Sequence, residues 1–440
     1  MLTYAVKFGG SSLADAEHFA KVGQIIKSDP DRRYVVPSAP GKRVSGDTKV
    51  TDLLYQCEEL AGEGKDFSGV LREIRGRYDD IIKGLNIDLS LEDEFTVIAK
   101  KLGAGAGRDY AASRGEYLNG IVMAHYLDVP FIDAAEVIFF QENGDFDADR
   151  TNEVLGERLK ETERAVIPGF YGANPDGSIR TFSRGGSDIT GAIVARAAHA
   201  DVYENWTDVS GFLIADPRII KRPRKIETIT YLELRELAYM GASVLHEDYI
   251  FPVRKEGIPI NIRNTNDPED EGTWIVESTA KKSKYTITGI AGKKGFCSVS
   301  IAKDMMNSEV GFVRKVLQAF EDHDISIEHV PSGIDTMTVF VHEDEFVSKE
   351  QAVVSGIYRL AKPDVLEIES GLALIAVVGR GMKSTRGTAG RIFSALAHAR
   401  INVRMIDQGS SELNVIIGVD NDDFERAIEA IYAIFVETQI

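Results

Sequence analysis

Short apolar runs alternate with amphipathic stretches through the first 277 residues. Tyr4–Phe8, Tyr34–Pro37, Pro130–Ile132, Ala165–Ile167, Val202–Trp206 and Ile258–Ile262 read as strands. Between them, Phe67, Leu71, Ile74, Tyr78, Ile81, Ile82 and Leu85 recur at three- and four-residue spacing, the stripe of an amphipathic helix. Strands alternating with helices predict an α/β fold, a mostly parallel sheet with helices on both faces. Such folds bind ligands at the carboxyl ends of their strands. The residues after Phe8 and Trp206 are therefore the first places to look for chemistry.

Beyond residue 277 the pattern changes. Residues 278–284 are polar and basic and predict a linker. An internal repeat follows: Gly311, Ile325, Ile327, Gly333, Val339 and Val341 are matched 76 positions later by Gly387, Ile401, Val403, Gly409, Val415 and Ile417. Each copy reads strand, helix, strand, strand, helix. The first copy, 296–369, closes with a strand at Val365–Ile368; the second, 371–440, stops after its helix Phe424–Phe435. An orphan strand, Tyr285–Ala291, precedes the first copy. A sheet short of a strand exposes an edge, so 285–291 is expected to complete the second module, with the first inserted inside it.

Composition narrows the partners. The 440 residues carry a formal net charge of −18, which argues against nucleic acid because phosphate backbones need a basic surface. The two cysteines, Cys57 and Cys297, fall in helical and strand patterns and read as buried small hydrophobes in a reducing compartment. No basic-then-apolar leader and no run of 18 apolar residues occurs, so no membrane partner is expected and the expected location is cytoplasmic.

The candidate chemistry lies in two glycine turns. Strand Ala5–Phe8 runs through Lys7 into Gly9, Gly10, Ser11 and Ser12. Two glycines let backbone N–H groups approach an anion, and Lys7 adds a mobile positive charge. This is not a Walker A loop, since the lysine precedes the glycines. Arg184-Gly185-Gly186-Ser187-Asp188 repeats the device ahead of a helix at Ile189–His199, with Asp188 in the first turn where the helix dipole favours a carboxylate. Two such turns predict one site with an anion clamped between them. Lys100–Gly107 lacks the G-x-G-x-x-G spacing and reads as a loop before an Arg108–Leu127 helix.

These turns resemble the aspartokinases of the amino-acid kinase family. The resemblance extends through Ser38–Gly41, Ser113-Arg114-Gly115-Glu116, Trp206–Gly211, Asp216-Pro217-Arg218 and Gly241–His246, and it is to the single-function form. The repeated modules resemble ACT domains, βαββαβ units that sense amino acids. The resemblance implies an amino-acid kinase fold followed by two ACT modules. It also implies transfer of the γ-phosphoryl of ATP, with Mg²⁺, to the β-carboxylate of L-aspartate. That carboxylate is ionised at pH 7, so the reaction needs alignment and charge neutralisation rather than a base.

By the same resemblance Lys7, Arg184 and Asp188 are catalytic. Gly9, Gly10, Ser11, Thr207, Asp208, Leu213, Arg218, Ser243 and Val244 contact ATP with Lys7. Ser38, Thr51, Glu116, Arg184, Gly186 and Ser187 line the aspartate site; Glu116 takes the α-ammonium and Arg184 clamps a carboxylate. Spacing alone would leave Glu116 on a solvated helix face. Ser243 and Leu213 stand where many members carry Lys and Tyr, so nucleotide binding is expected to lean on Arg218 and the backbone. No dedicated metal ligands are expected.

The modules imply feedback by an end product, lysine before threonine. The effector pocket is expected between Met306–Gly311 and the strand around Ile327 and Gly333, with Glu309 or Glu328 taking an ammonium. Two competing readings are another amino-acid kinase and an inert amino-acid sensor. The paired modules weigh against the first, and the intact Lys7, Arg184 and Asp188 against the second. The smallest expected assembly is a homodimer, or a dimer of dimers, because isolated modules leave sheet edges exposed.

Overall fold

The chain enters the sheet at once: β1 (Tyr4–Phe8) turns at Gly9 into α1 (Ala16–Ser28), whose first turn is capped by the Asp15 carboxylate accepting from the His18 N–H. This computed structural model describes residues 2–182, 185–242, 250–279 and 285–437. It contains two compact units. The first comprises Met1–Phe212, Glu227–Tyr231 and Val244–Thr279; the second comprises Leu213–Ile226, Leu232–Ser243 and Ala280–Ile440. The division therefore does not fall at a single point near residue 277, since two earlier segments pack with the C-terminal residues.

In the first unit, β2 (Arg32–Pro37), α2 (Val50–Gly62), α3 (Ser68–Leu85), α4 (Glu92–Gly103) and α5 (Arg108–Leu127) follow in order. Then come α6 (Ala134–Val137), α7 (Ala148–Lys160), β3 (Ala165–Val166), β4 (Tyr171–Ala173), β5 (Ile179–Thr181) and α8 (Gly186–Ala197). β6 (Val202–Thr207), β7 (Thr228–Thr230), α9 (Tyr231–Tyr239, passing into the second unit), α10 (Phe251–Lys255), β8 (Ile260–Asn264) and β9 (Thr273–Val276) complete it. Seven strands form one sheet in the order β3-β2-β1-β6-β8-β9-β7. β3, β2, β1, β6 and β8 run parallel, and β9 is antiparallel to β8.

Alternation along β1 sets the faces. Val6 and Phe8 pack with Phe19 and Val22 of α1, while Lys7 points to the other side, where it meets α8. Tyr203 of β6 lies against α8 so closely that a Cβ at Gly191 would meet its hydroxyl at 2.5 Å. The expected Pro130–Ile132 strand is only a single bridge, Phe131 to Val166. Pro130 has no N–H to extend the ladder, and its neighbour β3 is two residues long.

The second unit holds a six-stranded antiparallel sheet, order β11-β12-β10-β13-β15-β14. Its elements are β10 (Gly289–Ala302), α11 (Phe312–Glu321), β11 (Ile327–His329), β12 (Thr336–His342), α12 (Glu343–Val347), α13 (Glu350–Leu360), β13 (Val365–Val378), α14 (Thr388–His398), β14 (Met405–Asp407), β15 (Asn414–Asp420) and α15 (Phe424–Tyr432). The repeat is visible in detail: Gly311 and Gly387 cap α11 and α14 with φ of +82° and +81°. The orphan strand is not separate from the first copy. Its Gly289–Ala291 part runs on into that copy in β10, whose Gly289–Lys294 stretch pairs, as expected, with the second copy at Val378–Ala373 of β13 and whose Phe296–Ala302 stretch pairs with β12. A register shift at Gly295, with φ of +87°, lets one strand pair on both sides of the break.

The Leu213–Ile226 segment is bonded into this unit. Ile290 N–H of β10 donates to the Ile214 carbonyl at 2.6 Å, and Arg224 N–H donates to the Tyr432 hydroxyl at 3.0 Å. On α9 the fully buried Glu233 accepts from the Thr288 hydroxyl at 2.6 Å and from Arg380 through its backbone N–H at 2.8 Å and Nη1 at 2.7 Å. Cys57 and Cys297 are buried free thiols, pushed up to about 11 and about 12 by desolvation, and so are inert at neutral pH. Among the described residues no helix is long and apolar enough to cross a membrane.

Candidate active site

β1 and β6 end side by side in parallel register, with Lys7 opposite Asn205. Both side chains reach the same atom. Lys7 Nζ lies 2.7 Å from Asp188 Oδ1, and Asn205 Nδ2 donates to that oxygen at 2.8 Å. Asp188 sits in the first turn of α8, whose cap, Gly185, has φ of +75°. Its backbone carbonyl is held by the Tyr203 hydroxyl at 3.0 Å. Lys7 is almost wholly buried, so its charge is held in one direction, toward the strand ends.

The two loops beside this centre touch. Gly9 N–H donates to the Trp206 carbonyl at 3.1 Å, and Gly41 N–H donates to the Gly10 carbonyl at 2.8 Å. A Cβ at Gly41 would stand 2.6 Å from Gly10 backbone atoms, so only glycine permits this approach. Ser12 is buried and its hydroxyl hydrogen-bonds that of Thr265 at 2.9 Å; Ser11, one position earlier, is exposed. The Gly9–Ser11 turn is thus fixed from behind and open in front.

α5 grips the start of the 38–49 segment. Asn119 Nδ2 donates to the Ser38 carbonyl at 2.6 Å, and the Ala39 N–H faces the Glu116 carboxylate closely enough to favour its ionised form. Gly115 lets the helix come this close, since a Cβ there would meet the Ala39 methyl at 2.8 Å. Glu116 is not on a solvated face: it is 6% exposed and its Oε2 has no hydrogen-bond partner among the described residues. Desolvation pushes its carboxyl up to about 8, opposed by the Ala39 N–H, its own N–H and the Arg114 charge. A buried carboxylate oxygen left unpartnered is a receptor for a cation. Neighbouring Arg114 is itself packed among the rings of Tyr110, Tyr117 and Tyr171 and bonded to Ser113.

Lys7 and Asp188 are thus in direct contact, with Gly9, Gly10 and Ser11 following Lys7 in the chain. Ser38 opens the turn that faces Glu116, and Thr51 is the second residue of α2, at the far end of the same segment. Gly186 and Ser187 are buried in the first turn of α8, against Phe170 and Gly169. Thr207 and Asp208 close β6, with the threonine hydroxyl donating to the carboxylate at 3.2 Å. Leu213 and Arg218 belong to the second unit; Leu213 is exposed, and Arg218 pairs with Asp216 at 2.6 Å. Arg184, Ser243 and Val244 lie outside the described residues.

Asn205 escaped the sequence reading. Its signal was parity: it shares a sheet face with Lys7 across a parallel pair. A cavity of about 560 Å³ lined by Arg32, Trp206, Arg263 and Thr265 is lined by none of the candidate residues. In that region Glu204 is bonded by Arg32 at 2.7 Å and by the Trp206 indole at 2.8 Å, a closed internal network.

In the second unit the expected effector residues divide. Met306 and Ile327 pack with Phe312 and Val316 in the core under the helices. Gly333 instead lines a cavity of about 340 Å³ with Ser298, Ser300, Thr336 and Arg404. Glu309 is held between Lys303 and Lys315, the latter at 2.6 Å, which depress its carboxyl to about 2. Glu328 faces His342 at 3.3 Å. Both carboxylates already have cationic or proton-donating neighbours.

Comparison with known proteins agrees with this architecture. The amino acid kinase family profile matches residues 3–264, and an ACT domain profile matches residues 375–435. Aspartokinase 3 of Bacillus subtilis (strain 168) is 39% identical over 449 residues, covering 98% of each chain. The crystal structure of Clostridium acetobutylicum aspartate kinase is 50% identical with a TM-score of 0.90, covering 99% of this chain and 100% of that one. E. coli aspartokinase III in complex with aspartate and ADP (R-state) is 26% identical with a TM-score of 0.70, covering 98% and 99%. The same enzyme in complex with lysine and aspartate (T-state) is 25% identical with a TM-score of 0.69, covering 99% of each chain. On the profile match and the full-length likeness together, the chain belongs to the aspartokinases of the amino acid kinase family.

Proposed function

We propose that this chain transfers the γ-phosphoryl group of ATP to the β-carboxylate of L-aspartate, giving 4-phospho-L-aspartate. This is the first step toward lysine, threonine and methionine, and an end product inhibits it through two nested ACT modules. The observation that carries the catalytic reading is the sharing of Asp188 Oδ1 by Lys7 and Asn205 at the carboxyl ends of β1 and β6. Asp188 fixes the Lys7 ammonium beside the Gly9–Ser11 turn, where it offsets charge on the transferred phosphoryl oxygens. Gly9, Gly10 and Ser11 offer backbone donors to the phosphates, and Thr207 and Asp208 hold the rest of the nucleotide. Glu116 receives the α-ammonium at its unpartnered Oε2. Ser38, Thr51 and Ser187 bound the substrate, with Arg184 as the carboxylate clamp.

Among the described residues no three His, Cys, Asp or Glu side chains gather into a metal cage. Mg²⁺ binds through one or two carboxylates together with nucleotide phosphates and keeps several waters, and a single carboxylate, Asp188, beside the Gly9–Ser11 turn fits that demand. Asp188 is the carboxylate that would hold it here, and the ion would supply further neutralisation of the triphosphate. E. coli aspartokinase III, bound to aspartate and ADP in one state and to lysine and aspartate in another, supports the choice of substrates and of lysine as effector. Exposed apolar residues in the first module, Met305, Val310 and Ile334, support pairing of two chains through these modules.

The test is trapping. With ATP, Mg²⁺ and hydroxylamine, L-aspartate should yield aspartyl hydroxamate. Folded protein that forms none, while another amino acid reacts, would overturn the substrate assignment.

A further inference from the structure

We infer that Arg77 is a positioning residue for the aspartate site, acting through the 38–49 segment that it grips from beneath. This rests on the aspartate kinase reading. The segment joins β2 to α2 and carries Ser38 at its start, with Thr51 one residue inside the helix that follows. Its central residues, from Lys42 to Gly46, are exposed. Its backbone has few internal bonds, chiefly Asp47 N–H to the Val44 carbonyl at 3.0 Å.

Arg77, from the middle of α3, supplies what the segment lacks. Nη1 donates to the Thr48 carbonyl at 2.7 Å, Nη2 donates to the Gly41 carbonyl, and Nη2 lies 3.7 Å from Asp47 Oδ2. One rigid guanidinium therefore ties together both ends of the Gly41–Thr48 excursion. Arg43 closes the excursion from outside by pairing with the same Asp47 at 2.9 Å.

The grip is transmitted. Gly41 cannot shift without disturbing Gly10, whose carbonyl it bonds and whose backbone it nearly touches. Thr48 leads directly into α2. So Arg77 sets the position of Gly41 against the Gly9–Ser11 turn and the entry of α2, where Thr51 lies.

Burial argues that this is more than packing. The Arg77 side chain is 3% exposed, and its Nε has no partner among the described residues. A charge taken out of water for two carbonyls and one distant carboxylate stabilises a fold weakly at best, so the fixed geometry it gives the segment is the role we assign to it. Arg77 touches none of the reacting groups, which is why we place it as a positioning residue.

Kinetics and proteolysis test this together. Arg77→Met keeps the length and loses every donor; it should cut kcat/KM for aspartate between about 10- and 100-fold. Arg77→Lys should recover only part, since one ammonium cannot hold both carbonyls in the same geometry. Trypsin should cleave after Lys42, Arg43 or Lys49 faster in Arg77→Met than in the unaltered protein, a readout that needs no activity. Should Arg77→Met fail to fold, Asp47→Asn decides: it should raise KM for aspartate about threefold and speed the same cleavages. Unchanged cleavage, or a lowered melting temperature with unchanged kcat/KM for aspartate, would overturn the inference. Hydroxamate formation by the unaltered protein judges the catalytic reading separately.

Discussion

Lys7 and Asn205, partners across the parallel β1–β6 pair, converge on one carboxylate oxygen, Asp188 Oδ1, at 2.7 and 2.8 Å. The strand register makes the convergence: residues opposite one another in a parallel pair project to the same face. Asp188 is thereby held by two donors on two strands, and the direction of the lysine ammonium follows from backbone geometry.

Lys7→Ala should lower kcat by about a hundred- to a thousand-fold, the scale for removing one preorganised electrostatic donor, with little change in KM for aspartate. Asn205→Ala removes only the second donor to Asp188 and should cost about tenfold in kcat. Steady-state rates from coupled ADP release check both. Full turnover in Lys7→Ala would remove it from the reacting centre.

Glu116 makes aspartate binding depend on pH. Its carboxyl is raised to about 8 by burial, so at neutral pH the ligand-free site is largely protonated. Pairing with the substrate ammonium requires the ionised form, so binding releases a proton. KM for aspartate should fall about tenfold per pH unit as pH rises toward 8 and then level off. Linkage also fixes the stability trend. The folded protein holds this proton more tightly than the unfolded chain, so the contribution is full below about pH 4.5 and is lost as pH rises to about 8. Glu116→Gln should flatten both profiles; calorimetry in buffers of different ionisation enthalpy would count the proton.

Much of this was legible in the chain. β1 and α5 fall on the residues that pattern alone predicts, and the 76-residue repeat places Gly311 and Gly387 at equivalent helix caps. Periodicity reports which face is buried, and these elements bury a continuous face. What pattern could not give were the polar residues committed by tertiary contact. Arg77 sits between Ile74 and Tyr78 and reads as the wet side of a helix until the 38–49 segment folds over it. Glu116 is buried only because Gly115 admits the Ala39 turn. The join of Gly289–Ala291 to the first module was hidden because Gly292 and Gly295 look like a break, whereas the register shift there bends the strand without ending it.

Glu233 anchors α9 within the second unit. Replacing it with Ala leaves the Arg380 guanidinium, its backbone N–H and the Thr288 hydroxyl without the carboxylate they share. Removing one partner of a buried pair costs about 3–5 kcal/mol. Glu233→Ala should therefore bring the unfolding of this unit to lower urea concentration, followed by near-ultraviolet circular dichroism. A midpoint equal to that of the unaltered protein would mean that water or repacking replaces the carboxylate.

Feedback by lysine can be tested through Gly333. Its hypothetical Cβ meets only the Thr336 hydroxyl, at 3.0 Å, and the Thr336 carbonyl at 3.6 Å, so a side chain there can be accommodated by a rotamer change. Gly333→Asp then adds a negative charge to the cavity shared with Ser298 and Arg404 without breaking the sheet. A ligand presenting its α-carboxylate to this backbone should bind about tenfold more weakly. Glu309, already paired with Lys303 and Lys315, gains nothing from a third ammonium, so Glu309→Gln should alter lysine affinity far less. Lysine inhibits only by preferring a conformation in which the kinase site is misaligned. Linkage then requires that aspartate with a non-hydrolysable ATP analogue weaken lysine binding by the same factor that lysine weakens theirs. Calorimetric titrations in both orders measure the two factors. Equal factors above unity, with lysine affinity about tenfold weaker in Gly333→Asp, support this pocket; lysine binding unchanged by Gly333→Asp would misplace it, and binding of neither lysine nor threonine would end the regulatory reading.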